Sequence, residues 1–148
     1  MTGAWGATIR FKGMQSMGSR AIVARADGEN AWKGVWNNWG SQPKDLGNYL
    51  IRECERRGGD LSGLVRDVID AVPGGWSKMQ KNTRAPDYSW PPYHGPKELA
   101  EFSDVLDYVY ILRPTEQRLD VFRVEPGKEM VLVESVTFDD RGKADRSF

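Results

Sequence analysis

Cysteine and histidine each occur once, as Cys54 and His94. One cysteine cannot form a disulfide within the chain, and a Cys/His zinc site lacks its ligands. No apolar run approaches the roughly 18–20 residues of a membrane span. The opening MTGAWGATIRFKG has no apolar core or cleavage pattern and does not read as a secretory signal. The cytoplasm is therefore the expected compartment. An excess of either charge is also missing, since 21 Lys and Arg balance 21 Asp and Glu. Phosphate contacts need a local cationic excess, so nucleic acid is not the expected partner. The chain has no Walker A loop, dinucleotide fingerprint, G-x-S-x-G elbow or deaminase pattern, and no cofactor is implied.

What is present is a profile of 39% hydrophobic and 28% charged residues over 148 positions, which fits one domain with a single core. The six tryptophans are many for this length, so either the core or a surface must be aromatic.

Residues 4–12, AWGATIRFK, read as a short strand, and residues 1–16 as an extension before a compact domain opening at MGSRAIVA. In SRAIVARADGENAWKGVWNN two runs flank Asp27-Gly28, the preferred two-residue hairpin turn. Trp32, Gly34 and Trp36 then share one face, and Lys33, Val35 and Asn37 the other. The expected role of Trp32 and Trp36 is to pack the sheet against helices.

The stretch SQPKDLGNYLIRECERRGG predicts a helix capped near Ser41 and stopped at Gly58-Gly59, with Leu46, Tyr49, Leu50 and Cys54 along one stripe. A second helix follows, capped by Asp60 or Ser62, with Leu61, Leu64, Val65, Val68, Ile69 and Val72 as its stripe, and Pro73-Gly74-Gly75 ends it. Residues 76–96 are proline-broken and lack a period. PKELAEFSDVL predicts a short helix with Leu99, Phe102 and Leu106 inward. DYVYILRP, RLDVFRVE and EMVLVESVTF, separated by TEQR and PGK, predict a three-stranded meander. DDRGKADRSF, residues 139–148, is expected to fray as a flexible tail. The fold class is α+β: an antiparallel sheet made of the N-terminal hairpin and the meander, with the helix pair and the short helix on one face. A shared sheet has five strands, or six with the N-terminal piece.

Gly18-Ser19-Arg20, Asp27-Gly28, Trp36-Asn37-Asn38-Trp39-Gly40, Pro43 and Leu46-Gly47 form a pattern that resembles the opening of a widespread group of small bacterial and phage proteins. DYVYILRPTEQRLDVF is similar to the strand-turn-strand of the same group. The resemblance runs loosely over residues 17–125. It implies a phage, prophage or bacterial accessory protein and no particular reaction, since the group has no established one. Many members carry His where this chain has Asn38, so catalysis by that imidazole is not implied here.

Gly18-Ser19 has the form of a self-processing site, where a freed Ser19 would be an N-terminal nucleophile. His94 would form part of a hydrolytic triad with Ser89, Ser103 or Asp104. Cys54 lies on an apolar stripe and reads as core. Asp120, Glu134 and Lys128 on neighbouring strands superficially resemble a metal-dependent nuclease site, without its compact spacing. The strongest signal is aromatic: Trp39 near the first helix, and Tyr88, Trp90, Tyr93 and His94 in RAPDYSWPPYHGP. Aromatics beside prolines lose little entropy on binding and suit recognition surfaces. The reading is an interaction protein that binds a protein partner or itself through residues 84–96 and the nearby 36–42 turn. The alternatives are a small hydrolase using Ser19 or His94, and a homo-oligomeric virion component.

Overall fold

The computed structural model describes residues 19–37, 40–71, 93–96, 99, 105–125 and 130–148. The expected strand at 4–12, most of the proline-rich segment and most of the short helix lie outside them.

Strands β1 (Ala21–Ala26) and β2 (Trp32–Asn37) form the hairpin. A wide helical turn, Pro43–Gly47, leads into α1 (Asn48–Arg56), and α2 (Leu61–Val65) runs on into a second wide turn, Arg66–Asp70. A short strand, β3 (Tyr93–Gly95), precedes the meander β4 (Tyr108–Arg113), β5 (Arg118–Val124) and β6 (Met130–Thr137). The hairpin and the meander share one six-stranded sheet of order β3-β2-β1-β4-β5-β6. The fold is α+β, as the element order implies.

Three details differ from the sequence expectation. First, β1 and β4 at the sheet centre pair in parallel, from Ala21↔Tyr108 to Arg25↔Leu112, while the other pairs are antiparallel. β3 lies beyond β2 and runs the same way as β1, so the connection from β3 to β4 must pass β2 and β1, and β4 enters beside β1 from the same end. Second, the sixth strand is cut from the proline-rich segment. Three residues are too few to show an alternating pattern, so β3 left no period to read.

Third, Asp27-Gly28 is not a two-residue turn. Ala26 pairs with Trp32, so Asp27 to Ala31 form the loop, closed by the Asp27 N–H donating to the Ala31 carbonyl at 2.8 Å. Gly28 supplies a φ of +99° near the loop's start. A turn at 27–28 would have set Trp32 opposite Val23; the observed register sets it opposite Ala26. The shift is odd, so every β2 side chain changes face.

That change decides the packing. Ala21, Val23, Val35, Tyr110, Leu112, Leu119, Val121 and Val136 meet the helices through Leu46, Leu50, Ile51, Cys54, Leu61, Leu64, Val68 and Ile69. The opposite face holds Ile22, Ala24, Trp32, Val109, Ile111 and Val124, with Leu99, Leu106, Trp36 and Tyr93. The early tryptophans therefore pack away from the helix pair, and so do Leu99 and Leu106.

Asp60 caps α2, its Oδ1 accepting from the Gly63 N–H at 2.9 Å. Residues 139–148 fold back onto the domain instead of fraying. Phe138 bridges Ala144, the Ala144 N–H donates to Glu55 Oε2 at 2.9 Å, and Phe148 packs against the helix-side core. The Asn48 side chain brackets the Phe148 backbone, accepting from its N–H at 2.8 Å and donating to its carbonyl at 3.0 Å. Polar composition suggested a tail; side chains from α1 supply its hydrogen bonds.

Candidate functional site

Of the aromatic set, Trp39, Tyr88 and Trp90 lie outside the described residues, as do Ser89, Ser103, Asp104 and Lys128. Tyr93 and His94 are described, and both sit on β3 at an edge of the sheet. β3 pairs with β2 through Trp32↔Gly95, Lys33↔His94 and Gly34↔Tyr93. The Tyr93 ring lies against Trp36, with centroids 5.7 Å apart and planes at 53°. This contact joins the end of the 84–96 segment to the start of the 36–42 turn. Gly95 lies over the Trp32 indole so closely that a Cβ there would overlap the ring. Glycine is therefore what lets β3 pair with β2 across a buried tryptophan.

Successive strand residues point to opposite faces, so Tyr93 and His94 part company. Tyr93 is half-buried and joins Trp36 on the aromatic face. His94 is exposed and lies beside Lys33 on the helix side. There Asp70 accepts from Lys33 Nζ at 3.1 Å and from Arg25 Nε at 3.0 Å. Burial works against the charge on Asp70, yet the hydrogen bonds from Arg25 and Lys33 hold its carboxyl below the ordinary range.

Ser19 is 4% exposed. Its hydroxyl accepts from the Ser41 N–H at 2.9 Å. Ser41 Oγ in turn accepts from Asn37 Nδ2 at 2.8 Å, and the Ser41 carbonyl accepts from the Tyr110 hydroxyl at 2.6 Å. Ser19 just before β1, Asn37 at the end of β2 and Tyr110 of β4 thus hold one residue of the 36–42 turn from three sides. This arrangement accounts for Ser19 as an anchor of that turn. The sequence reading passed over Ser41 as more than a helix cap, and over Tyr110 altogether. Both belong to a network whose members are distant in sequence, which no local pattern displays.

Cys54 is fully buried, and that burial pushes its thiol up to about 12, in keeping with a core residue. The apparent nuclease set separates. Asp120 pairs with Ser135 and Glu134 with Val121, so the two carboxylates lie on opposite faces. Asp120, 3% exposed, accepts from Arg113 Nε at 2.7 Å, Arg118 Nε at 2.9 Å and Ser135 Oγ at 2.7 Å. Burial alone would raise its carboxyl; the bonds from Arg118, Ser135 and Arg113 outweigh that and lower it. A carboxylate committed to two guanidiniums is a poor metal ligand. Among the described residues no group of three or more His, Cys, Asp or Glu side chains is placed to hold a metal ion, and no helix is long and apolar enough to cross a membrane.

Comparison of the chain with protein-family models, curated proteins and solved structures finds no match.

Proposed function

We propose that this chain is a cytoplasmic interaction protein, a phage, prophage or bacterial accessory component, whose recognition surface is the aromatic sheet edge at Trp36 and Tyr93 together with the segment leading into β3. The observation that carries this reading is the Trp36–Tyr93 contact. It fixes the Tyr93 ring at a sheet edge, so Tyr93 is oriented before any partner arrives, and pre-set aromatic anchors supply much of the energy of protein interfaces. Tyr93 is half-buried and keeps surface for a partner. The partner is a protein, and no nucleic acid or membrane is required.

The test is the double variant Trp90→Ala, Tyr93→Ala. It is expected to fold, by circular dichroism and a cooperative melt, and to lose the protein that the wild-type chain captures from the lysate of its source. Retention of that protein by the folded double variant contradicts the proposal. Turnover of an ester or amide substrate that disappears in His94→Ala would replace it with the hydrolase reading. An intact mass showing cleavage between Gly18 and Ser19 would do so in favour of Ser19.

A further inference from the structure

Among the described residues β6 is the edge strand opposite β3. Exposed strand edges invite pairing with other chains, and proteins cover or charge them. Here the covering is partial. The Ser135 carbonyl accepts from Arg146 Nη2 at 2.7 Å, the Thr137 N–H donates to Asp145 Oδ1 at 3.1 Å, and the Thr137 carbonyl accepts from the Asp145 N–H at 2.9 Å. The tail's bonds to the β6 backbone stop at Ser135, and Arg146 also pairs with Glu134 Oε1 at 2.7 Å.

Beyond that point the register slips between Val121 and Phe122, with Glu134 opposite Val121 and Leu132 opposite Phe122. The bulge shifts the alternation by one residue. Ser135 and Thr137 turn their backbone groups outward above it, and Met130 and Leu132 do so below it. In this same stretch Val131 is 39% and Leu132 is 53% exposed. Val131 pairs with Arg123 and Leu132 with Phe122, so the two adjacent apolar side chains project from opposite faces of the sheet. A helix or loop laid on one face covers one of them. Only a strand in the plane of the sheet, beside β6, covers both.

We propose that the strand is β6 of a second copy, paired antiparallel about a two-fold axis through Val131. That register sets Val131 against Val131 as a pair without hydrogen bonds. It sets Met130 against Leu132 twice, with the outward backbone groups of both residues meeting their partners. Faces match, since Met130 and Leu132 share one face and Val131 lies on the other. The pairing is two-fold and uses the β6 edge of both copies. The open stretch is short, so the contact is smaller than the roughly 1,200–2,000 Å² of stable interfaces, and the dimer forms only at high protein concentration. It uses the sheet edge opposite Tyr93 and does not depend on the recognition role given to that residue.

The test reads register and self-association together. Val131→Cys places two thiols opposite each other at about 4.5 Å between Cα atoms, within disulfide reach. Under mild oxidation it is expected to cross-link about tenfold faster than Leu132→Cys or the loop variant Glu29→Cys, neither of which faces itself across the axis. Cys54 is buried and does not compete. Sedimentation equilibrium should show concentration-dependent dimer for the wild type and for Tyr93→Ala, and monomer for Val131→Lys, Leu132→Lys, whose substitutions lie on exposed positions. A wild type that stays monomeric to about 1 mM, the weak end of specific association, overturns the proposal. So do equal cross-linking rates at the three cysteine positions, or a lysine variant that still dimerises.

Discussion

The two faces of the sheet differ in what covers them. On the helix side, aliphatic residues from α1, α2 and the two wide turns close over Ala21, Val23, Val121 and Val136. On the other side aromatic residues dominate one end: Trp32 is 2% exposed, while Trp36 and Tyr93 keep part of their surface. The first face is core wherever the helices cover it. The other grades from core at Trp32 to accessible aromatic surface at Tyr93, and a binding surface placed there is backed by packed sheet. An aromatic residue next to the core need not belong to it.

The comparison breaks most directly at its buried ends. Trp32→Ala is expected to cost about 3–5 kcal/mol and Leu64→Ala roughly 2–5 kcal/mol, because both leave cavities at fully packed positions. Chemical denaturation measures both. A Trp32→Ala cost below about 0.5 kcal/mol, the size of ordinary surface changes, would make the aromatic face surface throughout. Asp120→Asn comes next. Replacing the carboxylate weakens its bonds to Arg113 and Arg118, which lie partly in solvent, for an expected loss of about 2 kcal/mol at neutral pH. The folded state holds this carboxyl below its ordinary value, so its contribution is present above about pH 4 and fades as pH falls through the lowered value. Wild type and variant should therefore converge in stability on acidification; a constant gap from pH 7 to pH 3 would contradict the assigned charge.

Smaller effects sharpen the contrast. Tyr110→Phe removes the hydroxyl that bonds the Ser41 carbonyl and should cost about 1–2 kcal/mol. Ser19→Ala should act in the same direction, and a double-mutant cycle should show coupling, since both groups hold Ser41. Additive effects would mean that the turn is not held as a unit. Gly28→Val should cost about 1 kcal/mol from its positive φ alone, because nothing lies within 4 Å of a Cβ there.

The helix face was readable because its signals are local. Stripes at helical spacing marked Leu50, Leu64, Val68 and Ile69, all of which are fully buried. The aromatic face was misread at the hairpin loop and at Leu99 and Leu106, which were expected on the side of the helix pair and pack on this one. Asp27-Gly28 looked like a complete turn, and a loop longer by an odd number of residues turned Trp32 and Trp36 to the other side. The strand at 93–95 was too short to carry a pattern. The Ser19–Ser41–Tyr110 and Arg113–Asp120–Arg118 networks depend on register and on residues distant in sequence. The tail read as polar and loose because its anchors, Glu55 and Asn48, belong to α1. Within the candidate site, the sequence grouped Trp39, Tyr88, Trp90, Tyr93 and His94; strand alternation, visible once β3 is known, divides Tyr93 from His94.

The most direct test is what touches Tyr93 in its native setting. A photoreactive phenylalanine analogue placed at Tyr93, and separately at the exposed helix residue Arg52, should be irradiated in the lysate of the source organism and the products weighed by mass spectrometry. The account expects a discrete protein adduct from position 93 and none from position 52. No adduct at 93, or the same set of adducts from both positions, would contradict it.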